Sequence, residues 1–231
     1  MIKPGVAGSI VARTHIYFEH VRAIIWDWNG TLLDDVEECV RCMNRMLGKR
    51  NLPLLTKKIY RDIFTFPVKD YYKSAGFDFE KEDFEVPAME FIRCYHQLLK
   101  DAALFPDVRK VLEYFKDKGL KQCILSAMEH NSLIDSLKDK GILEYFDLIA
   151  GINDHYAHSK NEVGMKLIDQ LSFEKGEILM VGDSLHDLEV ADELGIECLL
   201  IANGHQSKKR LTARTGNVVD DIRQVQDLVD G

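Results

Sequence analysis

The stretch AIIWDWNGTLLDD, residues 23–35, ends an apolar run in a carboxylate and continues into a polar loop. Asp27 follows the apolar residues, and Asn29, Gly30 and Thr31 come directly after it. A buried strand that delivers an acid into a tight loop is typical of a nucleophilic carboxylate with a hydroxyl nearby. Asn-Gly between apolar segments is also a strong hairpin signal, so a plain turn is the competing interpretation.

Two later apolar runs also end in polar residues. The run KQCILS ends in Ser126, and the run EILMVGD ends in Asp183, which Ser184 follows. Ligands bind beyond the carboxyl ends of neighbouring parallel strands. We therefore expect these residues to meet Asp27 at one edge of a sheet.

Clustered carboxylates repel one another unless a positive charge offsets them. Mg²⁺ favours sites with few carboxylates, several waters and a substrate phosphate. Lys160, in the segment HSKNEV before a helical pattern, adds a second positive charge. A nucleophilic carboxylate, a metal, a hydroxyl and a lysine together indicate a phosphoryl-transfer site.

The elements that must position these residues follow an alternating pattern. Short apolar runs, typical of strands buried on both faces, occupy residues 22–27, 121–126, 177–183 and 197–202, with a weaker one at 146–151. Amphipathic helical patterns occupy residues 108–119, 130–141, 161–171 and 185–195. This alternation predicts an α/β fold with a doubly wound parallel sheet.

The segment between the first two strong runs lacks a buried-strand pattern. It has helical patterns at residues 35–50, 67–76 and 84–100. We therefore predict an all-helical cap domain, residues 34–103, inserted into an α/β core domain of residues 1–33 and 104–231. Residues 1–20 are an extension in which residues 9–18 have a strand-like pattern.

Four motifs in this order resemble those of the haloacid dehalogenase superfamily of phosphatases with a helical cap after the first motif. WDWNGTL is similar to the first motif, usually Asp-x-Asp-Gly-Thr, and ILSA to the second. Lys160 stands for the third, and VGDSLHD, with Asp183 and Asp187, is similar to the fourth. Each motif is weak alone, but four in order over nearly the whole chain from residue 21 are a strong signal. The nearest subgroup is the phosphoglycolate-phosphatase-like proteins.

The resemblance implies Mg²⁺-dependent hydrolysis of a small phosphorylated metabolite through an aspartyl-phosphate. Asp27 would attack phosphorus, and Mg²⁺ would be held by the Asp27 side chain, the Asn29 main-chain carbonyl and Asp183. The residues that would bind the transferring phosphoryl group are Thr31, Ser126, Ala127 and Lys160. Lys160 would also be catalytic, because it would bridge the nucleophile and the phosphate. Asp187, with Ser184, would contact the metal's ligands rather than the metal, or Asp187 would pair with Lys160.

Asn29 departs from the motif, because the family usually has a second Asp there that protonates the leaving oxygen and later activates water. An amide cannot shuttle a proton at neutral pH. General acid–base catalysis contributes about 10²–10⁴-fold, so the loss should matter.

Three explanations for Asn29 are open. The substrate has a leaving group that needs little protonation, such as an acyl or aryl phosphate. Alternatively, Asn29-Gly30 deamidates to the usual Asp. In the third explanation another residue supplies the proton, and the candidates are Glu129, His130, His155, His158, Asp34 and Asp35.

Two other functions remain as alternatives. A metal-independent haloacid dehalogenase also lacks the second Asp, although Thr31 and the Gly-Asp-Ser segment fit a phosphate and metal site better. A catalytically weakened member would bind a phosphorylated ligand or a protein partner instead.

The sequence also suggests roles for several residues outside the four motifs. In the cap, Lys69 and Arg93 are candidates for recognising a substrate anion, and His205 is expected to be structural or at the edge of the site. The cap aromatic residues are expected to form a core rather than a substrate wall; they are Phe64, Phe66, Tyr71 and Tyr72.

Composition narrows the class of protein. The 231 residues have a formal net charge of −8, which argues against nucleic-acid or acidic-membrane binding. The five cysteines are scattered and odd in number, and Cys39 and Cys42 lie in a helical pattern without a second ligand pair. We expect a cytoplasmic protein, a monomer or a homodimer, without a membrane span.

Overall fold

The computed structural model describes residues 18–152 and 160–230. Six parallel strands form one sheet in the order β5-β4-β1-β6-β7-β8. These strands are β1 (Ala23–Trp26), β4 (Lys121–Glu129), β5 (Leu148–Ile152), β6 (Ile178–Gly182), β7 (Glu197–Ile201) and β8 (Val218–Val219). The prediction of a doubly wound parallel sheet is confirmed.

Helices cover both faces of this sheet and also form the segment after β1. Four helices lie in that segment: α1 (Val36–Lys49), α2 (Lys57–Ile63), α3 (Val68–Ala75) and α4 (Glu85–Leu98). Six follow it: α5 (Val108–Asp117), α6 (His130–Asp139), α7 (Lys160–Gln170), α8 (Leu185–Leu194), α9 (Lys208–Thr212) and α10 (Arg223–Asp230).

The central strand β1 is apolar on both faces because each face is covered by helices. Ile24 and Trp26 join one core with α5, α6 and α10, while Ala23 and Ile25 join another with α7, α8 and α9. All four side chains are fully buried. Burial on both sides explains why β1 has no alternation of polar and apolar residues. It also holds the position of Asp27, the next residue, in a rigid part of the fold.

The helical segment is connected to the core through a small ribbon. β2 (Leu33–Asp34) pairs antiparallel with β3 (Ala103–Leu104), and α1 to α4 lie between these two strands. Their apolar faces form a separate core that includes Met43, Tyr60 and Phe77. We call α1 to α4 the cap. The predicted domain boundaries fall within the ribbon, and the division into two domains stays a prediction.

The cap is docked on the loop that follows β7. The Arg61 guanidinium donates hydrogen bonds to the carbonyl oxygens of Ala202 and Gln206. In return, Gln206 Nε2 donates to the Phe64 carbonyl at 3.1 Å. The docked cap closes one side of a cavity above the carboxyl ends of the strands.

Several elements differ from the sequence prediction. The second strand was expected to end at Ser126, but β4 continues to Glu129, and its pairing with β5 is irregular between Leu125 and Glu129. The pattern missed α2, α9, α10, β8 and the ribbon, all of eight residues or fewer. Too few periods fit in such short elements for a pattern to emerge. The predicted strand at 9–18 lies outside the described residues apart from Phe18, which is buried.

The cysteines and helices add two general observations. All five cysteines have free thiols, and Cys39 and Cys42 are both buried in α1. Within residues 18–152 and 160–230, every helix is too short or too polar to cross a membrane.

A buried glutamine ties β1 to its neighbours and provides a test of the fold. Gln122 Oε1 accepts from Trp26 Nε1 at 3.2 Å, and its Nε2 donates to the Leu112 carbonyl at 2.8 Å.

Gln122→Met leaves the buried indole N–H without a partner, so we expect the free energy of unfolding to fall by about 1–3 kcal/mol. Denaturant unfolding measures this loss. Gln97→Met, the same change on an exposed face of α4, should change it by less than about 0.5 kcal/mol. Equal effects from the two substitutions would contradict the structural role of Gln122.

Candidate active site

Asp27 lies at the carboxyl end of β1, with its carboxylate almost completely buried. Lys160 Nζ lies 2.5 Å from Asp27 Oδ1. The Thr31 hydroxyl lies 3.3 Å from Asp27 Oδ2. Burial raises the pKa of Asp27 to about 6, even though Lys160 acts in the opposite direction. The carboxylate is therefore still mostly ionised at pH 7.

Asp183 lies at the end of the neighbouring strand β6. Its Oδ1 is 3.4 Å from the Thr31 hydroxyl, and its Oδ2 accepts a hydrogen bond from the His205 main-chain N–H. Burial raises the pKa of Asp183 to about 8, with Asp187 and Asp27 acting in the same direction and His205 acting against them. The ionised form of Asp183 therefore lacks sufficient compensating charge in this environment.

Asp187 has two structural roles in the first turn of α8. Its Oδ2 accepts hydrogen bonds from the Ser184 hydroxyl at 2.7 Å and the Ser184 N–H at 3.0 Å, which closes a capping box. Its Oδ1 lies 2.6 Å from Lys160 Nζ. Burial raises the pKa of Asp187, but Lys160 and Ser184 together hold it below the ordinary value. Lys160 is thus shared between Asp27 and Asp187, and burial fails to lower its pKa because both carboxylates raise it.

These groups form a buried cluster of hard oxygen donors. Asp27, Asp183 and Asp187 each offer a carboxylate oxygen, and the three oxygens lie within 4.8 Å of one another. Lys160 contacts both Asp27 and Asp187 but carries one positive charge, and Asp183 has no ion-pair partner among the described residues, so the three carboxylates together exceed the positive charge beside them. A divalent cation with a preference for oxygen ligands, such as Mg²⁺, fits both this donor set and the charge that needs compensation.

The predicted phosphate-binding residues do not all face the same space. Ser126, Ala127 and Lys160 line the cavity above the carboxylates. Ser126 Oγ accepts a hydrogen bond from the Met128 N–H at 3.1 Å. Thr31 is fully buried behind Asp27 and Asp183 and is not among the residues that line the cavity. Its hydroxyl bridges the two carboxylates instead.

The Asn29 amide is held by a network around Asp35. Asn29 Nδ2 donates to Asp35 Oδ2 at 3.0 Å and to the Tyr95 hydroxyl oxygen at 2.6 Å. The Tyr95 hydroxyl donates in turn to Asp35 Oδ2 at 2.5 Å. Both amide hydrogens of Asn29 are used in this way. The side chain therefore has only its oxygen available for another molecule in the cavity.

His205 is the site residue that the sequence analysis underestimated. It is buried rather than peripheral, with Nε2 3.2 Å from Asp35 Oδ1 and Nδ1 2.8 Å from the Tyr60 hydroxyl. Burial lowers the pKa of His205, but Asp35 more than compensates and raises it to about 9. Burial likewise raises the pKa of Asp35, and His205, Tyr95 and Asn29 hold it below the ordinary value. The two residues form an ion pair beside Asn29.

Two glycines permit this close packing. Gly30 has φ +75°, and a Cβ there would collide with the His205 ring and the Asp183 carboxylate. A Cβ on Gly204 would collide with Asp183 and with the Gly30 carbonyl.

Because β7 precedes the segment ANGHQS, the rule that places ligand sites after strand ends was the signal that could have identified His205.

The other candidates for a proton donor have different environments. Glu129 caps α6, and the N–H groups of Asn131 and Ser132 lower its pKa to about 2. Its carboxylate is therefore a poor acid. Asp34 is in the ribbon, away from the cavity lining, and His130 Nδ1 lies 3.4 Å from the Gly151 N–H. His155 and His158 lie outside the described residues.

The cavity between cap and core has a volume of about 420 Å³. Phe64, Phe66, Tyr71 and Tyr72 were expected to form a core rather than a wall. Phe64, Tyr71 and Tyr72 do both, whereas Phe66 lines the cavity, is 36% exposed and is not part of the cap core. The cap aromatic residues that line the cavity are Tyr60, Phe64, Phe66, Tyr71, Tyr72, Phe91 and Tyr95. Lys69 and Arg93 do not line it, and the Lys69 ammonium lies 5.6 Å from the centre of the Phe79 ring.

Comparison with known proteins places the chain in a family. Residues 24–201 match the haloacid dehalogenase-like hydrolases. A probable phosphatase, IndB, of Dickeya dadantii is 26% identical over 86% of this chain and 88% of its own length. A phosphoglycolate phosphatase of Chromobacterium violaceum is 23% identical over 91% of this chain and 97% of its own.

Solved structures have the same fold. A haloacid dehalogenase-like hydrolase of Streptococcus pneumoniae superimposes with a TM-score of 0.78 at 20% identity, over 90% of this chain and 98% of the other. The match to the family covers most of the chain, from β1 to the end of β7. The chain therefore belongs to the haloacid dehalogenase-like hydrolase family.

Proposed function

We propose that the protein is a Mg²⁺-dependent phosphatase that hydrolyses small phosphomonoesters through an aspartyl-phosphate on Asp27. The observation that carries the proposal is the buried Asp27 carboxylate in the cavity between core and cap, bound to Lys160 and next to Asp183. Relatives named as phosphatases support phosphate chemistry. The unbalanced charge of Asp183 supports a cation.

In this mechanism Asp27 is the nucleophile. Lys160 binds Oδ1 at 2.5 Å and favours the ionised form, which the attack requires. Asp187 holds Lys160 from the other side at 2.6 Å, so the ammonium stays beside Asp27 rather than rotating into solvent. A carboxylate oxygen of Asp27 forms a bond to phosphorus as the bond to the leaving oxygen breaks.

The side chains of Asp27 and Asp183 and the main-chain carbonyl of Asn29 would hold Mg²⁺. When bound, the ion supplies positive charge that offsets the phosphate and the charge that develops during transfer. Ser126 and the neighbouring main chain at Ala127 lie on the cavity side, where they can donate hydrogen bonds to phosphate oxygens.

Asn29 determines how the second half of the reaction proceeds. Its free side-chain oxygen accepts a hydrogen bond and can orient a water molecule, but it cannot remove a proton. Water then attacks phosphorus, releases phosphate and regenerates the Asp27 carboxylate. The proton goes to solvent or to phosphate itself.

The contacts of Asn29 also bear on the alternatives. Deamidation requires the amide to rotate toward the Gly30 nitrogen, and its two hydrogen bonds to Asp35 and Tyr95 oppose this rotation. A metal-independent dehalogenase would not need the buried Asp183 beside Asp27. We therefore favour a working phosphatase in which Asn29 is a native component.

Removal of the nucleophile is the first test. Asp27→Asn should lower the release of phosphate from an activated aryl phosphate by more than about 10³-fold, because no carboxylate remains to attack. Malachite green detection of phosphate measures the rate, and circular dichroism checks the fold. Asp34→Asn, outside the cavity, should retain activity within about threefold. Undiminished activity of Asp27→Asn would show that another group is the nucleophile.

The metal can be tested without turnover. Mg²⁺ at about 100 times its dissociation constant should stabilise the protein by about 2.7 kcal/mol, with a matching rise in melting temperature that EDTA reverses. Asp183→Asn should abolish most of this rise, because it removes one ligand. Asp192→Asn, on an exposed face of α8, should leave the rise intact. A rise that persists in Asp183→Asn would contradict the proposed ligand set.

The role of Asn29 can be tested by exchanging the amide and the carboxylate between positions 29 and 35. Asn29→Asp alone places a second carboxylate about 3 Å from Asp35, the distance of the present hydrogen bond, so we expect lower stability and little gain in rate. Asn29→Asp with Asp35→Asn restores one donor opposite one acceptor between positions 29 and 35 and provides a proton-transfer group, while it removes the charge partner of His205.

The double variant should hydrolyse alkyl phosphates about tenfold or more faster than the native protein, with a smaller gain on aryl phosphates. Steady-state rates on matched alkyl and aryl esters measure the difference. Asp35→Asn alone is the control and should not increase either rate. The same gain on both substrates would show that protonation of the leaving group does not limit the reaction.

A further inference from the structure

The cap side of the cavity is a wall of aromatic rings. Phe91 and Tyr95 stack with ring centroids 5.7 Å apart and an angle of 8° between their planes. Phe66 stacks on His186 of the core at 4.4 Å. Phe64 contacts both Phe66 and Tyr71 at about 5 Å between ring centres. These rings line the same cavity as Asp27 and its polar neighbours.

This wall has little charge to offer a second anionic group. Among the described residues that line the cavity, the only lysine or arginine is Lys160, which is already bound to two carboxylates. The imidazole of His205 is paired with Asp35. Burial lowers the pKa of His186, which favours its neutral form. His96 also lines the cavity, at an exposed position of α4. Among the described residues, a carboxylate on the substrate would therefore lose its hydration without gaining a free lysine or arginine as a partner.

The size of the cavity leads to the same conclusion. Its volume of about 420 Å³ lies in the range of about 300–1,000 Å³ that is typical of sites for drug-sized ligands. A two-carbon phosphoester such as phosphoglycolate would leave most of the aromatic wall uncovered. A phosphoester with a ring fills the space and covers the wall.

Asn29 adds an independent constraint on the leaving group. With its amide hydrogens bound to Asp35 and Tyr95, it has no proton to give to the departing oxygen. A phenol has a pKa of about 10, whereas water, as a guide to alkyl alcohols, has a pKa of about 15.7. A phenolate can therefore depart without protonation far more readily than an alkoxide.

We propose that the substrates of this site are aryl phosphates, the phosphate monoesters of phenols. The inference rests on the proposed phosphatase function and specifies its substrate class. The Asp27 carboxylate oxygen forms the bond to phosphorus, and the phosphorus–oxygen bond to the ring breaks, with its electron pair remaining on the phenolate oxygen. Water then attacks phosphorus and breaks the bond to Asp27. Its two protons finish on the phenol and on phosphate, so that the products are phenol and hydrogen phosphate.

A substrate series separates recognition of the ring from departure of the leaving group. With Mg²⁺ present, we expect 2-naphthyl and phenyl phosphate to have kcat/KM values at least about tenfold above those of butyl phosphate and phosphoglycolate. Benzyl phosphate has a ring on an alkyl leaving group, so its KM should be close to that of phenyl phosphate while its kcat is lower. A higher kcat/KM for phosphoglycolate than for phenyl phosphate would overturn the inference and leave the phosphatase function intact.

Variants of the wall test the same inference. Phe91→Leu and Phe66→Leu should raise the KM for 2-naphthyl phosphate about 3- to 10-fold, with kcat and the KM for butyl phosphate little changed. Phe79→Leu is the matched control, because Phe79 packs against Phe84 in the cap and does not line the cavity. An equal rise in KM for both esters in the wall variants would contradict recognition of the ring.

A binding measurement distinguishes failure of the substrate class from failure of the reaction. Titration calorimetry with Mg²⁺ should show phenylphosphonate binding at least about tenfold more tightly than phosphonoacetate, whose carboxylate lacks a partner. Tighter binding of phosphonoacetate would overturn the substrate class. Preferential binding of phenylphosphonate without hydrolysis of any ester in the series would support the aryl site and overturn the phosphatase function.

Discussion

The balance of charge among buried carboxylates at one edge of the sheet is the constraint on which the site depends. Asp27, Asp183 and Asp187 are each at most 7% exposed, and Lys160 is the lysine that contacts two of them. Burial makes each negative charge costly, so every carboxylate needs a hydrogen-bond donor or a cation. Ser184 and Lys160 satisfy Asp187, Lys160 satisfies Asp27, and Asp183 is left with a main-chain N–H and a shared hydroxyl. The fold thereby leaves Asp183 with the least compensation of the three, at the position where the proposed phosphate chemistry would use a cation.

Asp35 links this polar floor to the cap. It accepts hydrogen bonds from the Gly30 main chain, the Asn29 amide and the Tyr95 hydroxyl, and it pairs with His205. Because Tyr95 belongs to α4, the position of the cap and the orientation of Asn29 are coupled through the Asp35 carboxylate. His205 already offsets the charge of Asp35, so the cluster of Asp35, Cys39 and His205 has less need of a cation than the cluster around Asp27. Movement of the cap would change the environment of Asn29 as well as open the cavity.

The sequence predicted the parts of the site that depend on strand ends and missed those that depend on the cap. Asp27, Ser126 and Asp183 could be placed together because parallel strands bring their carboxyl ends to one edge, whatever lies between them. His205 also follows a strand, but its importance arises from Tyr60, 145 residues away in the chain, and from Asp35. Phe64, Tyr71 and Tyr72 of the cap have the periodicity of core residues, and they pack in a core. Only the docked position of the cap shows that the same rings also face the cavity.

Asn29 has a different meaning once its neighbours are known. From the sequence alone, Asn29 is only a residue that replaces the usual acid of the motif. In the structure it is a hydrogen-bond donor to an ionised Asp35, whose negative charge is set by His205. An aspartate in its place would face that carboxylate directly, so the network favours the amide for electrostatic reasons alone. The same network withholds the amide hydrogens from the leaving group, and the aromatic wall surrounds the space beyond it. The departure from the family motif and the shape of the cavity thus support the same class of substrate, one whose leaving group can depart without protonation.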